Sequence, residues 1–445
     1  MNNRPLVLAV LLSIATASHS AQAQTDRQER HRVPAEFMTY RGADWLERED
    51  RVIEEQPQRV LEAMALEPGD TVADVGCGSG YYARQMAPLV QPGGTVYCED
   101  IQPEMLEIMK GLAADESVTG IEAILGTPVD PKLPAGAVDW VIITDVYHEM
   151  SDPEPMLAGI RRALSPGGRV ALLEYRVEDG TGDQIKADHR MSVRQVLREW
   201  KAAGFELAEL HDFLPSQHLF FFRSTDDTTE GSLDNYDLFD AIESGLIEVQ
   251  AIGAGNEAVT IRIRRTGNQS IAITSPVGAY FRSAGGARDM VARRDGWVVL
   301  SDTDWRDWMV RTVGRQRDRR IPTASDSLEI LPPSTESHLE ALMYQIQVGT
   351  YTVSDSPTLY PFVTYGVEQA AVWIADSDLG YGTIAGDIED PRMPVQYAVA
   401  FALVFADRAG VDVTGRRIWS DSEQVFGALR DQGLGLWYQL KSEGR

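Results

Sequence analysis

Asp74-Val75-Gly76-Cys77-Gly78-Ser79-Gly80 follows a short apolar run, Thr71 to Val75, and opens an amphipathic stretch, Tyr81 to Val90. Glycines at such a strand-to-helix turn let the backbone approach a ligand with no Cβ in the way. Two readings of the run compete, because Gly78-Ser79-Gly80-Tyr81-Tyr82-Ala83 also satisfies the dinucleotide pattern G-x-G-x-x-A. Three features further along separate them. Asp100 ends the next apolar run, where a carboxylate can accept both hydroxyls of a ribose. Leu164-Ser165-Pro166-Gly167-Gly168-Arg169 turns the chain into a fifth strand, and a closing hairpin follows that is no usual part of a nicotinamide-binding half.

Outward from the glycine run, short apolar stretches alternate with helical ones. Thr71 to Val75, Thr95 to Cys98, Ile121 to Leu125, Val138 to Thr144 and Arg169 to Glu174 read as buried strands. Tyr81 to Val90, Pro103 to Leu112, Pro153 to Leu164 and Ser192 to Ala203 read as helices between and after them. Such alternation demands an α/β fold with a parallel sheet and helices on both faces. Glu206 to His211 and His218 to Arg223 are joined by a loop too short for a parallel crossover, so they are expected as an antiparallel pair at one end of the sheet.

With these elements in place, residues from about Val33 to Arg223 resemble a class I S-adenosylmethionine (SAM) dependent methyltransferase. They are most similar to the small-molecule branch that includes the ubiquinone/menaquinone-biosynthesis type. The resemblance rests on DVGCGSG, EDIQPEML, DWVIITDVYHEM and LSPGGR in that order. It implies a seven-stranded Rossmann-like sheet with an antiparallel end hairpin, and SAM as cofactor. Asp74 and the backbone of Gly76, Cys77, Gly78 and Gly80 would hold the methionine moiety. Asp100 would bind the ribose, Ile101 would pack on adenine, and Asp130 is the candidate for the adenine amine. Asp145, just past the fourth strand, is counted among the cofactor contacts. Glu99 stands where the family often has an apolar residue.

Methyl transfer from a sulfonium is an in-line displacement that removes positive charge. It needs alignment more than acid catalysis, and holding the reactants in attack geometry supplies roughly 7–11 kcal/mol of the barrier. A base is needed only where the acceptor must lose a proton. His148 is the candidate base, Glu149 its orienting carboxylate, and Tyr147 a wall of the acceptor pocket, all at the carboxyl edge of the sheet where open α/β folds bind ligands. A structural role for the same Tyr147-His148-Glu149 stands beside that reading. His189 could reach the same mouth but has no readable partner. The two cysteines, Cys77 and Cys98, read as packing residues with no disulfide framework. No second histidine follows His148-Glu149 at zincin spacing, there is no C-x-x-C and no G-x-S-x-G elbow, so no metal site and no hydrolase is expected.

The chain has 445 residues and a net charge of −26, which argues against nucleic acid as a partner. Arg4, the apolar run Leu6 to Ala17 and Ala21-Gln22-Ala23 give the three parts of a cleavable secretory signal, residues 1–23. The run is shorter than the roughly 18 residues a membrane span requires, so no integral membrane segment is expected after cleavage. The expected location is periplasmic or secreted, or cytoplasmic if Met38 is the true start. The methyltransferase domain is expected over residues 24–223 and a polar linker over 224–234.

Residues 235–332 alternate with period two, as in Val259 to Arg264 and Ser270 to Thr274 across Thr266-Gly267-Asn268, and read as a small antiparallel, sandwich-like β unit. Residues 333–445 read as helical, with Val395 to Ala409 capped by Gly410 and a last helix over Ser422 to Leu440. Arg311, Arg315, Arg317, Arg319 and Arg320 read as a solvated loop, and the tryptophans of this half as core. The C-terminal half offers a surface for a protein or ligand. The expected function is an exported methyltransferase acting on a small-molecule acceptor. The alternative is a secreted binding protein that uses the same fold without turnover.

Overall fold

The structure, a computed structural model, describes residues 34–226, 233–333, 337–348, 364–388, 392–421, 427–430 and 435–444. The candidate signal segment, much of the expected linker and parts of the expected helix Ser422 to Leu440 lie outside the described residues.

The central apolar runs become strands because both faces of each are covered, while β3 at the edge is only partly buried. β1 (Thr71–Val75), β2 (Thr95–Asp100), β3 (Ile121–Leu125), β4 (Val138–Thr144) and β5 (Leu164–Arg176) are mutually parallel. β6 is the two-residue Arg190–Met191 beside β5, and β7 (Phe205–His211) and β8 (Gln217–Ser224) close the sheet. The order is β3-β2-β1-β4-β5-β8-β7, with β8 inserted antiparallel between β5 and β7. Alternate residues feed two cores. Val75, Val141, Ile143, Leu172 and Phe222 pack on one face with the helices Pro153–Ala163 and Val193–Ala202. Val72, Ile142, Leu173 and Phe221 pack on the other with Pro57–Met64 and Tyr81–Met86.

The second half departs from the expected sandwich. β10 (Ile247–Gly253), β11 (Ala258–Arg265), β13 (Tyr280–Ser283), β14 (Met290–Ala292), β16 (Arg306–Gly314) and β17 (Ser327–Leu331) close into a barrel. A three-stranded sheet of β15 (Gly296–Leu300), β12 (Ile271–Ser275) and β9 (Asp234–Asp237) stands beside it. The strands flanking Thr266-Gly267-Asn268 therefore do not pair with each other: β11 joins β10 and β16, while β12 joins β15 and β9. Barrel closure leaves β11 with no free edge for β12 to occupy.

The helices Ser337–Val348, Tyr365–Asp376 and Val395–Arg408 share a further core that includes Leu342, Val372, Trp373, Leu403 and Phe405. Gly410 ends the last of them at φ +87°, its amide on the Asp407 carbonyl and that of Val411 on Ala406, a Schellman arrangement. The arginine stretch is a solvated loop only at its end, where Arg319 and Arg320 are exposed. Arg311 lies on β16 and pairs with Asp183, and Arg315 pairs with Asp376 at 2.6 Å.

The two halves are joined by polar contacts. Ser192 Oγ donates to Asp295 Oδ2 at 2.6 Å, the Leu233 amide donates to the Leu207 carbonyl, and the rings of His218 and Trp297 meet edge to face with centroids 5.2 Å apart. No helix among the described residues is long and apolar enough to cross a membrane.

Candidate active site

The glycine turn is built as a cradle whose every tie is made by named groups. Gly76, Gly78 and Gly80 all sit at positive φ, from 54° to 78°. A Cβ at Gly76 would come within 2.6 Å of Val146 Cγ1, and one at Gly80 within 2.3 Å of Met109 Cγ, so both space and backbone conformation demand glycine there. Asp74 Oδ2 accepts the Ala83 amide at 3.1 Å in the first turn of the following helix, and burial raises this carboxyl to about 7. Asp100 Oδ2 accepts the Gly78 amide at 2.9 Å, and Oδ1 accepts the Gln102 amide at 2.8 Å. Ile101 beside it leaves 37% of its surface exposed.

Cys77 and Cys98 are bonded as a disulfide, S–S 2.03 Å, which corrects their reading as packing residues. The strand-to-loop geometry sets the two Cα atoms 5.5 Å apart, within disulfide reach. Three further ties run in parallel with it: the Cys77 amide to the Glu99 carbonyl at 2.8 Å, the Gly76 amide to Glu99 Oε2 at 3.3 Å, and the Gly78 bond already given. Burial raises the Glu99 carboxyl to about 8, with the Asp100 charge adding to the effect.

A strap over residues 34–55 crosses the carboxyl edge of the sheet. The Ala35 amide donates to the His148 carbonyl, Tyr40 donates to Gln102 Oε1, and Ser79 Oγ donates to Glu47 Oε1 at 2.5 Å. Arg84 binds both Glu47 and Glu116. Arg51 pairs with the buried Glu55 at 2.6 Å and lies over the Tyr81 ring at 4.1 Å.

At the end of β4 the expected triad is partly rearranged. His148 is 4% exposed, and its Nδ1 meets Glu174 Oε2 at 2.7 Å, while its amide donates to Glu174 Oε1 at 3.1 Å. The orienting carboxylate is thus Glu174 at the carboxyl end of β5, not Glu149. Glu149 turns toward the Met38 amide, and burial raises it to about 8. Tyr147, expected as a wall of the acceptor pocket, turns inward. It is fully buried against Trp200, with its hydroxyl donating to Glu199 Oε2 at 2.9 Å, because the residue before His148 on a short 3-10 turn points into the core.

His189, read as partnerless, stands with its ring centroid 5.1 Å from that of His148 and its Nδ1 2.7 Å from Asp188 Oδ1. Asp130 is half-buried, its Oδ1 taking the Lys132 amide and the Arg162 side chain. Asp145 takes φ +52°, a conformation uncommon for a residue with a side chain, and accepts from Gln217 Nε2 at 2.7 Å. Sequence reading passed over Glu174 and Gln217. The signal for the first was an acid ending the apolar run Arg169 to Glu174, placed by strand direction at the ligand edge.

Asp100, at the end of β2, is thus clasped to a Cβ-free turn with further buried carboxyls around it. Residues 73–172 match the family described as a methyltransferase domain. "Uncharacterized methyltransferase YdaC" of Bacillus subtilis is 31% identical over 151 residues, 34% of this chain and 78% of that protein. "Nocamycin O-methyltransferase" of Saccharothrix syringae is 34% identical over 115 residues, 26% of this chain and 41% of that protein. "Ubiquinone/menaquinone biosynthesis C-methyltransferase UbiE" of Ectopseudomonas mendocina is 29% identical over 116 residues, 26% of this chain and 45% of that protein. YdaC apart, the chain spans less than half the length of the curated relatives it matches, between 33% and 47%. A solved SAM dependent methyltransferase from Aquifex aeolicus aligns over 42% of this chain and 98% of its own, with a TM-score of 0.39 at 22% identity. The chain belongs to the class I SAM-dependent methyltransferases.

Proposed function

We propose that this chain is an exported methyltransferase that binds SAM and transfers its methyl group to a small-molecule acceptor. The reading is carried by Asp100: each carboxylate oxygen holds one backbone amide and keeps capacity to accept a ribose hydroxyl. The donor set suits the group, since Asp74, Glu99, Asp100 and Glu149 are raised mainly by burial and a cationic ligand would favour their charged forms. When bound, SAM supplies an electrophilic methyl on a sulfonium. The chain's own residues align the reactants, exclude water beneath the strap, and handle one proton. With Nδ1–H donating to Glu174, His148 carries its lone pair on Nε2, the form a base requires.

Export is supported by two independent features. The first residues carry a positive start, an apolar run and a small-x-small site in order. The pairing of Cys77 with Cys98 is the chemistry of an oxidising compartment, since cytosolic thiols are kept reduced.

Calorimetric titration of S-adenosylhomocysteine into the chain and into Asp100→Ala tests the cofactor site. Loss of hydrogen bonds to the ribose is expected to weaken binding by about 1–3 kcal/mol, or roughly 5- to 150-fold. An affinity unchanged by Asp100→Ala defeats the assignment, and absence of binding by the folded parent chain favours the binding protein without turnover.

A further inference from the structure

Resting on the methyltransferase reading, we propose that His189, held by Asp188, is the proton relay of the site: it takes the acceptor's proton from His148 and hands it to solvent.

His148 can accept a proton but is badly placed to lose one. Its side chain is 4% exposed, and the Ala35 amide of the strap closes on its carbonyl. Its Nδ1 is engaged by Glu174 Oε2 at 2.7 Å. A carboxylate so placed orients the ring and steadies the imidazolium without taking the proton itself. Burial penalises the charged ring, so each turnover needs a route by which the proton leaves.

His189 has the properties of that route. Its ring centroid lies 5.1 Å from that of His148, with the planes tilted by 45°, a separation that one bridging water spans. Its side chain is 25% exposed, so it reaches solvent where His148 does not. Its Nδ1 meets Asp188 Oδ1 at 2.7 Å. A carboxylate only accepts, so both rings carry their proton on Nδ1 and their lone pair on Nε2. Among the described residues neither Nε2 has a hydrogen-bond partner, which leaves both free for the transfer. Two imidazoles in one tautomer, each set by its own acid and ranked from buried to exposed, make a path for a proton.

The two rings come from separate elements. His148 sits on the 3-10 turn Tyr147–Glu149 after β4, and His189 on the 3-10 turn Ala187–His189 after β5. The second turn is pinned from outside the sheet, by Arg311 on Asp183 and by Asp295 on Ser192. A partly exposed pair such as His189 and Asp188 adds little to stability, so packing alone gives no reason for an acid on this ring.

In the transfer, the acceptor's bond to hydrogen breaks toward His148 Nε2. The electron pair left on the acceptor forms the bond to the methyl carbon as the C–S bond breaks, with that bond's pair remaining on sulfur. His148 then gives its Nε2 proton to His189 Nε2, through the bridging water, and His189 releases it to bulk solvent. Both rings return to the neutral Nδ1–H form.

The test uses the full chain, labelled with nitrogen-15 in histidine and saturated with S-adenosylhomocysteine. Line broadening at one fixed pH reads how fast the Nε2 proton of protonated His148 exchanges with water. His189→Gln should slow that exchange by about 100-fold, the low end of what a positioned proton-transfer group contributes, with S-adenosylhomocysteine affinity within about threefold of the parent. Excess free imidazole should restore the exchange in His189→Gln and in His189→Ala. Asp188→Asn, which removes the acid that sets the His189 tautomer, should slow it in part. Exchange that stays within about twofold of the parent in both His189 variants overturns the relay. So does slowing that imidazole does not reverse, since a ring that only supports the fold cannot be replaced from solution. The measurement needs no acceptor, so it fails separately from the reading beneath it: a parent chain that does not bind S-adenosylhomocysteine overturns the methyltransferase reading and the relay with it.

Discussion

Removing the Cys77–Cys98 bond should separate stability from cofactor binding. The bond closes a segment with a sequence separation of 21, and the loop-entropy relation gives roughly 3 kcal/mol of stabilisation at that length, acting on the unfolded chain. In the folded chain the same two segments remain tied by the Cys77, Gly76 and Gly78 amides on Glu99 and Asp100. The double variant Cys77→Ser, Cys98→Ser should therefore keep its glycine turn and bind S-adenosylhomocysteine within about threefold of the parent. Its unfolding midpoint should fall by roughly 1–3 M urea, taking a slope of about 1–3 kcal/mol per M. The assay is urea unfolding followed by tryptophan fluorescence, run on the parent with and without a phosphine reductant and on the variant. Alkylation and mass measurement of the unreduced protein should find no free thiol. Two free thiols, or a midpoint that ignores the reductant, would refute the pairing and remove one support for export.

Further outcomes follow from the buried charges. Glu174→Gln presents an amide to His148 and should shift its proton from Nδ1 to Nε2, visible in long-range nitrogen–proton spectra; turnover should fall about 10²- to 10⁴-fold with cofactor affinity kept, and an unchanged tautomer would sink the pairing. Asp74, Glu99 and Glu149, raised to about 7, 8 and 8, hold protons near neutrality. A nearby cation lowers these values, so SAM binding should release protons at pH 7 and tighten from about pH 6 to pH 8. Titrations in buffers of differing ionisation enthalpy measure this, and proton uptake would contradict it. Asp183 is held well below the usual carboxylate range; burial opposes the shift, and Arg311 and Arg190 outweigh it. A depressed folded value gives stability that is present above about pH 4 and lost as pH falls below it. Arg311→Ala should cost about 1–3 kcal/mol at pH 7 and make that acid loss shallower; parallel pH profiles for parent and variant would rule this out.

The parallel sheet was legible because its strands are short, mostly apolar runs bounded by Gly and Pro turns, so β1, β3 and β4 begin and end where periodicity places them. The candidate cofactor residues Asp74, the glycines and Asp100 stand out in the sequence for the same reason, being adjacent to those boundaries. The disulfide was not. Cys77 and Cys98 meet only because β1 and β2 are parallel neighbours, with Asp74 opposite Cys98 in register, and their spacing carries no sign of that. Glu174 and His189 meet His148 from β5 and the loop after it, elements distant in sequence from β4. Barrel closure was equally hidden, since β10 to β17 look alike strand by strand and only long-range pairing distinguishes a barrel from a sandwich.

The C-terminal half bears on the site through the segment that carries His189. Asp183, a few residues before it, is gripped by Arg311 from β16 of the barrel through both oxygens and by Arg190 at 2.7 Å. Ser192, three residues after His189, caps its helix by accepting the Gln195 amide and also donates to Asp295 from the barrel's flank. The ring 5.1 Å from His148 is thus fixed at both ends by contacts that the methyltransferase fold alone does not contain. Gln217 is next to His218, whose ring rests on Trp297 of the three-stranded sheet. The side of the site facing β5 and β8 is therefore braced by the second half, whereas the side facing β2 is held by the glycine turn, the disulfide and the strap. A change in the barrel would therefore reach the segment that carries His189 before it reached the glycine turn.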